Sequence, residues 1–194
     1  MKEIINFFFE IAHLTRVPRR GLSVIGIENT WSVAEHSFLA AEIAYVLGKL
    51  EKADPQKTAL IALFHDNAEA RIDDRHLIYK CYFNKEKEER KAFLDQIKRL
   101  PGKKDIISFF EEFNQGNSKE GIVAKDADIL ACAIEAKTYL DQGNKEAEIF
   151  LKRYKTLLKT ESAKKIFLAL EKRNITNWWK EIEELKREIE EIEG

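Results

Sequence analysis

The sequence predicts an all-α fold, and three observations support this prediction. Apolar residues recur at spacings of three and four, rather than in alternation, almost everywhere along the 194 residues. The chain contains only 3 proline and 8 glycine residues. It also carries no β-hairpin signal, internal repeat or low-complexity segment. We therefore expect a helical bundle of roughly eight or nine helices.

Two helix starts in the first half of the chain have specific signals. Ser32 and Glu35 form a Ser-x-x-Glu capping box, which predicts a helix with His36 in its first turn. Asp54-Pro55 is typical of an N-cap followed by proline at the first helical position. The helix that follows should carry the pair His65-Asp66, so two histidines are expected on two neighbouring helices.

The second half of the chain contains further starts and breaks. The charged helix that starts at Asn84 should end at Pro101-Gly102, and residues 114–116 interrupt the chain again. Longer irregular stretches are expected at about 17–30 and 72–83, and such segments often carry functional residues on a helical scaffold. The predicted starts of the later helices are Asn84, Ser118, Asn144 and Thr160.

The C-terminal segment has a pattern of its own. Apolar residues spaced by three and four form an a/d seam between charged residues, which is typical of a helix that pairs along one face. This face could pack on its own domain or contact another subunit, so we divide the chain into a domain at 1–174 and an amphipathic helix at 175–194. The seam consists of Ile175, Trp178, Ile182, Leu185, Ile189 and Ile192.

Composition limits the partners and the compartment. The 33 Lys and Arg residues balance 34 Asp and Glu residues, so nothing attracts a nucleic-acid polymer or an acidic membrane in general. An anionic substrate must therefore meet a local cationic site. Cys81 and Cys132 are too few for a disulfide framework, which favours a reducing, cytoplasmic setting. The N-terminus has no signal-peptide pattern, and we expect no membrane span.

The pair His65-Asp66 is the first candidate for chemistry. It interrupts an apolar helical pattern with two ionisable groups, and buried charge is costly unless it is paired or bound to a metal. Imidazole and carboxylate together suit Mn, Fe, Co or Zn. Glu69 follows His65 by four residues and should lie on the same face, where it could hold a proton near the metal.

Two further ligands are expected from other helices. His36 lies in the first turn of one helix, and Asp128 interrupts the apolar pattern of another. The order His, His-Asp, Asp on separate helices resembles the HD-domain metal-dependent phosphohydrolases. Within that superfamily, the segments 32–37, 65–70 and 123–128 are similar to the 5′-deoxynucleotidase branch, which includes the bacterial YfbR enzymes and the eukaryotic HD-domain-containing protein 2 group.

The resemblance covers roughly residues 5–140 and implies a fold and an activity. It implies an HD-domain helical bundle that is a homodimer. It implies hydrolysis of (deoxy)ribonucleoside 5′-monophosphates to nucleoside and phosphate with a divalent metal. The metal could be Co, Mn, Mg or Zn, and the preference for deoxyribose over ribose stays open.

The resemblance also implies roles for single residues. Arg19 matches the phosphate-binding arginine, with Arg20 as a rival. Glu69 and Asp74 match catalytic carboxylates, although Asp73 stands where the family usually has glycine and competes with Asp74. Leu22 replaces an aromatic residue that helps to read the sugar, and Trp31 lengthens the approach to the first histidine. The residues that match the metal ligands are His36, His65, Asp66 and Asp128.

Two other functions remain as alternatives. A phosphodiesterase or nucleoside-triphosphate hydrolase could use the same scaffold, but twin metal sites usually need more histidines than His76 between Asp66 and Asp128. A metal-stabilised binding module without turnover would need neither a spare acid nor a phosphate-binding arginine. We expect His13, His76 and both cysteines to have no role in the chemistry, and the charged run 85–91 to be a solvated helix face.

Overall fold

The computed structural model describes residues 1–193, except for the side chains at positions 77, 80, 192 and 193. Within this range the chain forms α-helices, three short 3₁₀ turns and no strand, so the predicted all-α fold is confirmed. One of the helices, α4, is a single turn. The helices are α1 (Lys2–His13), α2 (Val33–Leu50), α3 (Pro55–Phe64), α4 (Glu69–Ile72), α5 (Lys85–Ile97), α6 (Lys103–Gln115), α7 (Lys119–Asp141), α8 (Ala147–Leu157), α9 (Glu161–Lys172) and α10 (Asn177–Glu193).

Most predicted helix starts are confirmed by their caps. The Ser32 side chain accepts a hydrogen bond from the backbone N–H of Glu35, whose own carboxylate accepts from the backbone N–H of Ser32. The Asp54 side chain caps α3, with proline at the first helical position. Side chains also cap three later helices through one backbone N–H each, and these caps are Asn84, Ser118 and Thr160.

The prediction that Asn144 starts α8 is wrong. The helix begins three residues later, at Ala147, and Glu146 occupies the N-cap position. The reason is a tight turn, because the N–H groups of Ala147, Glu148 and Ile149 each bond the carbonyl three residues earlier. A polar residue that favours helix caps also favours turns, so the sequence signal at Asn144 marked the turn.

Helix α7 lies at the centre of the bundle. It contacts α2, α3, α6, α8 and α9, and its alanines face the interior with no exposed surface. Small residues allow neighbouring helices to approach closely. The end of α2 also lies close to the start of α3, since a Cβ added at Gly48 would come within 2.8 Å of the Pro55 Cα. The alanines of the main core on α2 and α7 include Ala40, Ala44, Ala124, Ala127 and Ala131.

The irregular segment before α2 is held by backbone pairing. The Val33 N–H donates to the Val17 carbonyl at 2.8 Å, and the Arg19 N–H donates to the Trp31 carbonyl at 2.8 Å. Pro18 and Ser32 form the bridge between these two bonds. The side chains of Val17 and Val33 are buried beside Leu14 in a small cluster. This pairing fixes Arg19 close to the first turn of α2.

The apolar face of α10 does not pack into the domain. Trp178, Ile182, Leu185 and Ile189 are all exposed, and the side chain of Ile192 lies outside the described residues. Only Ile175, just before the helix, is half-buried, and its N–H donates to Asp141 at 2.9 Å. None of the helices in the described part of the chain is both long and apolar enough to cross a bilayer.

Asp126 ties the centre of the bundle to α9, and this role can be tested. Its fully buried carboxylate accepts bonds from the N–H groups of Lys159 and Thr160 and from the Thr160 hydroxyl. We expect Asp126→Ala to lower the free energy of unfolding by about 3 kcal/mol, because these donors would lose a charged acceptor in the interior. Urea denaturation in the presence of a chelator measures this change without a contribution from metal binding.

The exposed acid Asp105 provides the control. Asp105→Ala removes the same carboxylate from the surface of α6 and should change the unfolding free energy by less than about 0.5 kcal/mol. Equal effects of the two substitutions would contradict the structural role of Asp126.

Candidate metal centre and substrate cleft

Three parts of the bundle bring four donor side chains together. His36 comes from α2, His65 and Asp66 follow α3, and Asp128 comes from α7. The Nε2 atom of His36 lies 3.0 Å from Asp128 Oδ1, and the Nε2 atom of His65 lies 3.0 Å from Asp66 Oδ2. The two cross-pairs, His36 with Asp66 and His65 with Asp128, are 3.9 and 3.7 Å apart. The four atoms therefore form a closed ring.

The pair His65-Asp66 lies at a helix end, whereas the sequence predicted it inside a helix. Helix α3 ends at Phe64, and the next residues form tight turns in which the N–H groups of Asn67 and Glu69 bond three residues back. The His65 ring contributes to this change, because its Nδ1 lies 2.6 Å from the Ala62 carbonyl oxygen. The imidazole thereby occupies a carbonyl that a continuing helix would use.

This same contact fixes which nitrogen of His65 can bind a cation. A carbonyl oxygen only accepts hydrogen bonds, so Nδ1 carries a proton and Nε2 is the nitrogen that is left to bind a cation. That Nε2 is buried and has no hydrogen-bond partner, although carboxylate oxygens lie close to it. Burial opposes protonation of His65, but the charges of Asp66 and Asp128 outweigh it and raise its pKa well above the usual value. Either a proton or a metal ion on Nε2 balances these carboxylates, so this arrangement suits a metal ligand.

The electrostatics of the ring also favour a bound cation. Burial opposes ionisation of Asp66, but the charges of His65 and Arg19 outweigh it and hold the pKa of this carboxyl well below its usual range. Burial opposes ionisation of Asp128 too, and the two histidines hold its pKa well below the usual range. Both carboxylates are therefore ionised at neutral pH in a poorly solvated place.

The distances between the donors fit a divalent ion. Neighbouring ligands at right angles, each about 2.1 Å from a metal, lie about 3 Å apart. The two shorter edges of the ring have this length, at 3.0 Å each, and the longer edges, at 3.7 and 3.9 Å, would shorten on metal binding. Two imidazoles and two carboxylates match the preferences of Mn, Fe, Co and Zn.

Cys132 lies beside the ring, one helical turn after Asp128. Its Sγ is 3.8 Å from Asp128 Oδ1 and accepts a hydrogen bond from Arg19 Nη2 at 3.3 Å. Among the described residues, two groups of donors lie close enough together to hold an ion, namely His36 with His65 and Asp66, and His36 with Asp128 and Cys132. Burial raises the pKa of the thiol well above its usual range, so it faces Arg19 as a neutral group.

The structure separates the two rival pairs of residues. The Arg19 guanidinium lies 3.0 Å from Asp66 Oδ2 and 3.8 Å from Asp74 Oδ2, whereas the Arg20 side chain is exposed. The buried Asp74 carboxylate accepts the backbone N–H of Arg20 at 2.7 Å, whereas Asp73 is exposed and lies at the wall of the adjoining cavity. Arg19 and Asp74 are therefore the members of each pair that lie at the centre.

Glu69 lies buried next to the ring and contacts the ammonium group of Lys85. Glu69 is 1% exposed, and its Oε1 lies 3.4 Å from the Nζ of Lys85, which also contacts Glu89 at 2.9 Å. Burial raises the pKa of Glu69 well above its usual range, and the nearby charges of Asp66 and Asp74 add to this rise. Its Oε2 is buried without a hydrogen-bond partner. The expectation that the run 85–91 is a solvated face is wrong at Lys85, because its side chain is only 16% exposed.

A cavity of about 340 Å³ adjoins the centre on the side of Asp74. Arg75, His76 and Tyr79 line it together with Arg20, so a substrate bound at the ring could extend in this direction. His76 therefore lines a cleft, although the sequence suggested no role for it. Leu22 is 3% exposed and packs in the main core, so it does not take the place of the expected aromatic residue on a cleft wall.

Glu135 and Trp31 also belong to the surroundings of Arg19. The Glu135 carboxylate, 3% exposed, accepts the Trp31 N–H at 3.1 Å. No local sequence pattern marks Glu135, Lys85 or Cys132 as part of the site, because each is defined by contacts with residues far away along the chain. Their positions on helices could be predicted, but not the neighbours that bury them.

Known proteins share this arrangement of helices. The sequence model described as HD domain matches residues 11–184 of the chain. A conserved hypothetical protein from Pyrococcus furiosus has a similar structure, with a TM-score of 0.73 and 32% identity over 87% of this chain and 99% of that one. The PH0347 protein from Pyrococcus horikoshii is 28% identical, with a TM-score of 0.74 over 86% of this chain and 97% of that one.

Curated relatives are more distant in sequence but carry a named activity. The 5′-deoxynucleotidase of Vibrio cholerae is 28% identical over 155 residues, which cover 73% of this chain and 78% of that protein. The 5′-deoxynucleotidase HDDC2 of Mus musculus is 26% identical over 149 residues, which cover 75% of this chain and 74% of that protein.

Metal binding by the ring can be tested directly. We expect His65→Ala to lower the affinity for Mn²⁺ at least about tenfold, because it removes the nitrogen that faces both carboxylates. Isothermal titration calorimetry with the chelator-treated protein measures this affinity, and metal analysis after dialysis checks the stoichiometry. His13→Ala removes an exposed histidine and should bind Mn²⁺ like the wild type.

The two aspartates of α7 provide a second comparison in the same titration. Asp128→Ala should weaken Mn²⁺ binding, whereas Asp126→Ala, assayed below its melting temperature, should retain it. Wild-type affinity in both His65→Ala and Asp128→Ala would exclude the ring as the metal centre.

Proposed function

Because the chain belongs to the HD domain family, we propose that it is a metal-dependent 5′-nucleotidase, and a 5′-deoxynucleotidase in particular. It would hydrolyse (deoxy)ribonucleoside 5′-monophosphates to nucleoside and phosphate. The observation that carries this proposal is the contact of Arg19, 3.0 Å from Asp66, with the ring of four candidate metal ligands. The names of the curated relatives support the same activity.

Each member of the ring has a part in this proposal. His36, His65, Asp66 and Asp128 would hold the cation, which supplies an activated water and polarises the phosphoryl group when bound. The native ion is Co, Mn, Mg or Zn.

Arg19 would bind the phosphate of the substrate. A guanidinium presents two parallel N–H donors that match two phosphate oxygens. With a net charge of −1 the chain has no general field that attracts an anion, so this local cation matters. The hydrogen bond from Arg19 Nη1 to Asp66 keeps the guanidinium at the edge of the ring, where the phosphate would arrive.

Glu69 and Asp74 would move and hold protons. Glu69 is protonated more readily than an ordinary glutamate, and its free Oε2 could give a proton to the departing 5′-oxygen. Asp74 borders both Arg19 and the adjoining cavity, so it could orient the sugar or the attacking water. The nucleoside would occupy the cavity next to Asp74.

The remaining expectations form part of the same proposal. The substrate is a nucleotide and not a nucleic-acid polymer or a membrane lipid, because a net charge of −1 gives the chain no general attraction to polyanions. A cytoplasmic location fits two cysteines that form no disulfide. Both groups of donors found among the described residues include His36, which supports one metal centre and not the two separate centres of a phosphodiesterase.

A phosphate-release screen tests the activity. Deoxynucleoside and ribonucleoside 5′-monophosphates and deoxynucleoside triphosphates are each assayed with Mn²⁺, Co²⁺, Mg²⁺ and Zn²⁺. We expect release from the 5′-monophosphates and loss of about a hundredfold in kcat/KM for Arg19→Ala, since one electrostatic contact to the reacting phosphate is worth about 3 kcal/mol. The exposed Arg16 is the matched control, and Arg16→Ala should keep wild-type kinetics.

The screen can also contradict the proposal. Release from triphosphates alone would favour a nucleoside-triphosphate hydrolase, and no release with any ion would favour a binding module without turnover.

We further propose that the segment 175–194 joins two copies of the chain into a homodimer. The exposed seam of α10 follows the a/d spacing of a coiled coil. The seam thus fits a second copy of the same helix.

Size-exclusion chromatography with light scattering tests this assembly. A chain that ends at Arg173 and the full-length variant Leu185→Lys should both elute as monomers, because each removes part of the apolar contact. Glu184→Lys changes an exposed residue beside the seam and should leave the dimer intact. A wild-type monomer, or a dimer that survives both changes, would contradict this role of α10.

A further inference from the structure

Glu135 is a buried acid near the cleft to which no role has been assigned. It lies on α7, seven residues after Asp128, so two helical turns place both side chains on the same side of the helix. Its side chain is 3% exposed and points towards the segment before α2. A buried acid is costly unless its oxygens serve as acceptors, so its contacts indicate what it does.

The contacts of Glu135 lead to Arg19 in two steps. Glu135 accepts the Trp31 N–H at 3.1 Å, and the Trp31 carbonyl accepts the Arg19 N–H at 2.8 Å. The two peptide groups that flank Trp31 therefore connect α7 to the backbone of Arg19, one through its N–H and the other through its carbonyl. On its other side, the backbone at Arg20 is tied to Asp74 at 2.7 Å.

The segment that carries Arg19 needs such an anchor. It belongs to an irregular stretch whose pairing with residues 31–33 contains the two backbone bonds at Val33 and Arg19. Pro18 has no N–H and cannot add another bond. Among the described residues, three hydrogen bonds tie this short pairing to α7, the central helix of the bundle. Tyr139 donates to the Asn29 carbonyl and Arg19 Nη2 donates to Cys132, but the bond from Trp31 to Glu135 holds the peptide directly beside the Arg19 backbone bond.

We propose that Glu135 is a positioning residue for Arg19. By holding the Trp31 peptide, it fixes the backbone from which the guanidinium reaches Asp66 and the phosphate of the substrate. This inference rests on the proposed phosphate-binding role of Arg19. The acceptor oxygen of Glu135 performs this task, so a glutamine, which keeps an acceptor oxygen, performs it too.

The protonation of Glu135 is consistent with a role that depends on its acceptor oxygen and does not require a negative charge. Burial raises its pKa to about 7, while the charge of Arg19 opposes the rise. Part of the protein therefore carries a protonated Glu135 near neutral pH. The carbonyl oxygen of a protonated carboxyl still accepts the Trp31 N–H, so the anchor persists in both states.

Binding of inorganic phosphate to the Mn²⁺-loaded protein tests the proposal without relying on turnover. Calorimetry should give a dissociation constant about tenfold higher for Glu135→Ala and Glu135→Leu, because the guanidinium is no longer held in place. Glu135→Gln should stay within about twofold of the wild type. In kinetic assays the same variants should raise KM for the nucleotide more than they lower kcat, while Mn²⁺ affinity stays unchanged.

Glu120 provides a matched control on the same helix. It also accepts a backbone N–H, from Asp54 at 3.1 Å, but at the end of α7 that is away from the centre. Glu120→Ala should leave phosphate binding unchanged. If Glu135→Ala and Glu135→Leu bind phosphate like Glu120→Ala, or if Glu135→Gln is impaired as strongly as they are, the proposal is wrong.

Two further outcomes are distinct from these. If Arg19→Ala binds phosphate normally, the proposed role of Arg19 fails, whatever Glu135 does. If Arg19→Ala loses binding and Glu135→Leu does not, only the inference about Glu135 fails. Thermal melting accompanies each variant, and loss of folding in both Glu135→Ala and Glu135→Leu would assign Glu135 to stability and overturn the proposal.

Discussion

The site depends on one electrostatic constraint, which is that two ionised carboxylates must coexist with two imidazoles in the interior of a helical bundle. Asp66 and Asp128 come from distant parts of the chain, and each lies 3.0 Å from a histidine nitrogen. Such a group is stable only if positive charge lies among the donors, as protons or as a metal ion. The close packing of α7 against α2 and α3 keeps the donors in place.

The ring of donors and Arg19 are held in place by different kinds of contact. The ring is built on α2, on the turn that directly follows α3 and on α7, and the positions of these helices are fixed by a core rich in alanine. Arg19, in contrast, lies on an irregular segment and reaches the ring through its side chain. That segment is anchored by the small buried cluster at Val17 and Val33, and close to Arg19 by individual hydrogen bonds at Trp31 and at Asp74. A phosphate group between the ring and Arg19 would therefore contact donors that helix packing holds in place on one side. On the other side it would contact a guanidinium whose backbone is held mainly by hydrogen bonds.

Sequence reasoning succeeded where local rules decide the outcome and failed where distant contacts decide it. The capping box at Ser32 and the cap at Asp54 are local, and both helices start as predicted. The end of α3 was missed because a side chain, the His65 ring, replaced a helical hydrogen bond. The burial of Lys85 depends on Glu69, sixteen residues away, and no periodicity in a charged helix could reveal it.

Asp73 adopts an unfavourable backbone conformation, and this conformation helps to position the next residue, Asp74, in the site. Its backbone has φ 61° and ψ 161°, a region that favours glycine, which is the residue that the family resemblance led us to expect there. Such a conformation typically costs a non-glycine residue about 1–3 kcal/mol. The turn is held by the bond from the Asp73 N–H to Glu69 and by the contact of Asp74 with the Arg20 N–H. Because this turn sends Asp73 to solvent and Asp74 inward, the strain at one residue is coupled to the orientation of the next. The buried Asp74, and not the exposed Asp73, is therefore the carboxylate whose position the fold maintains.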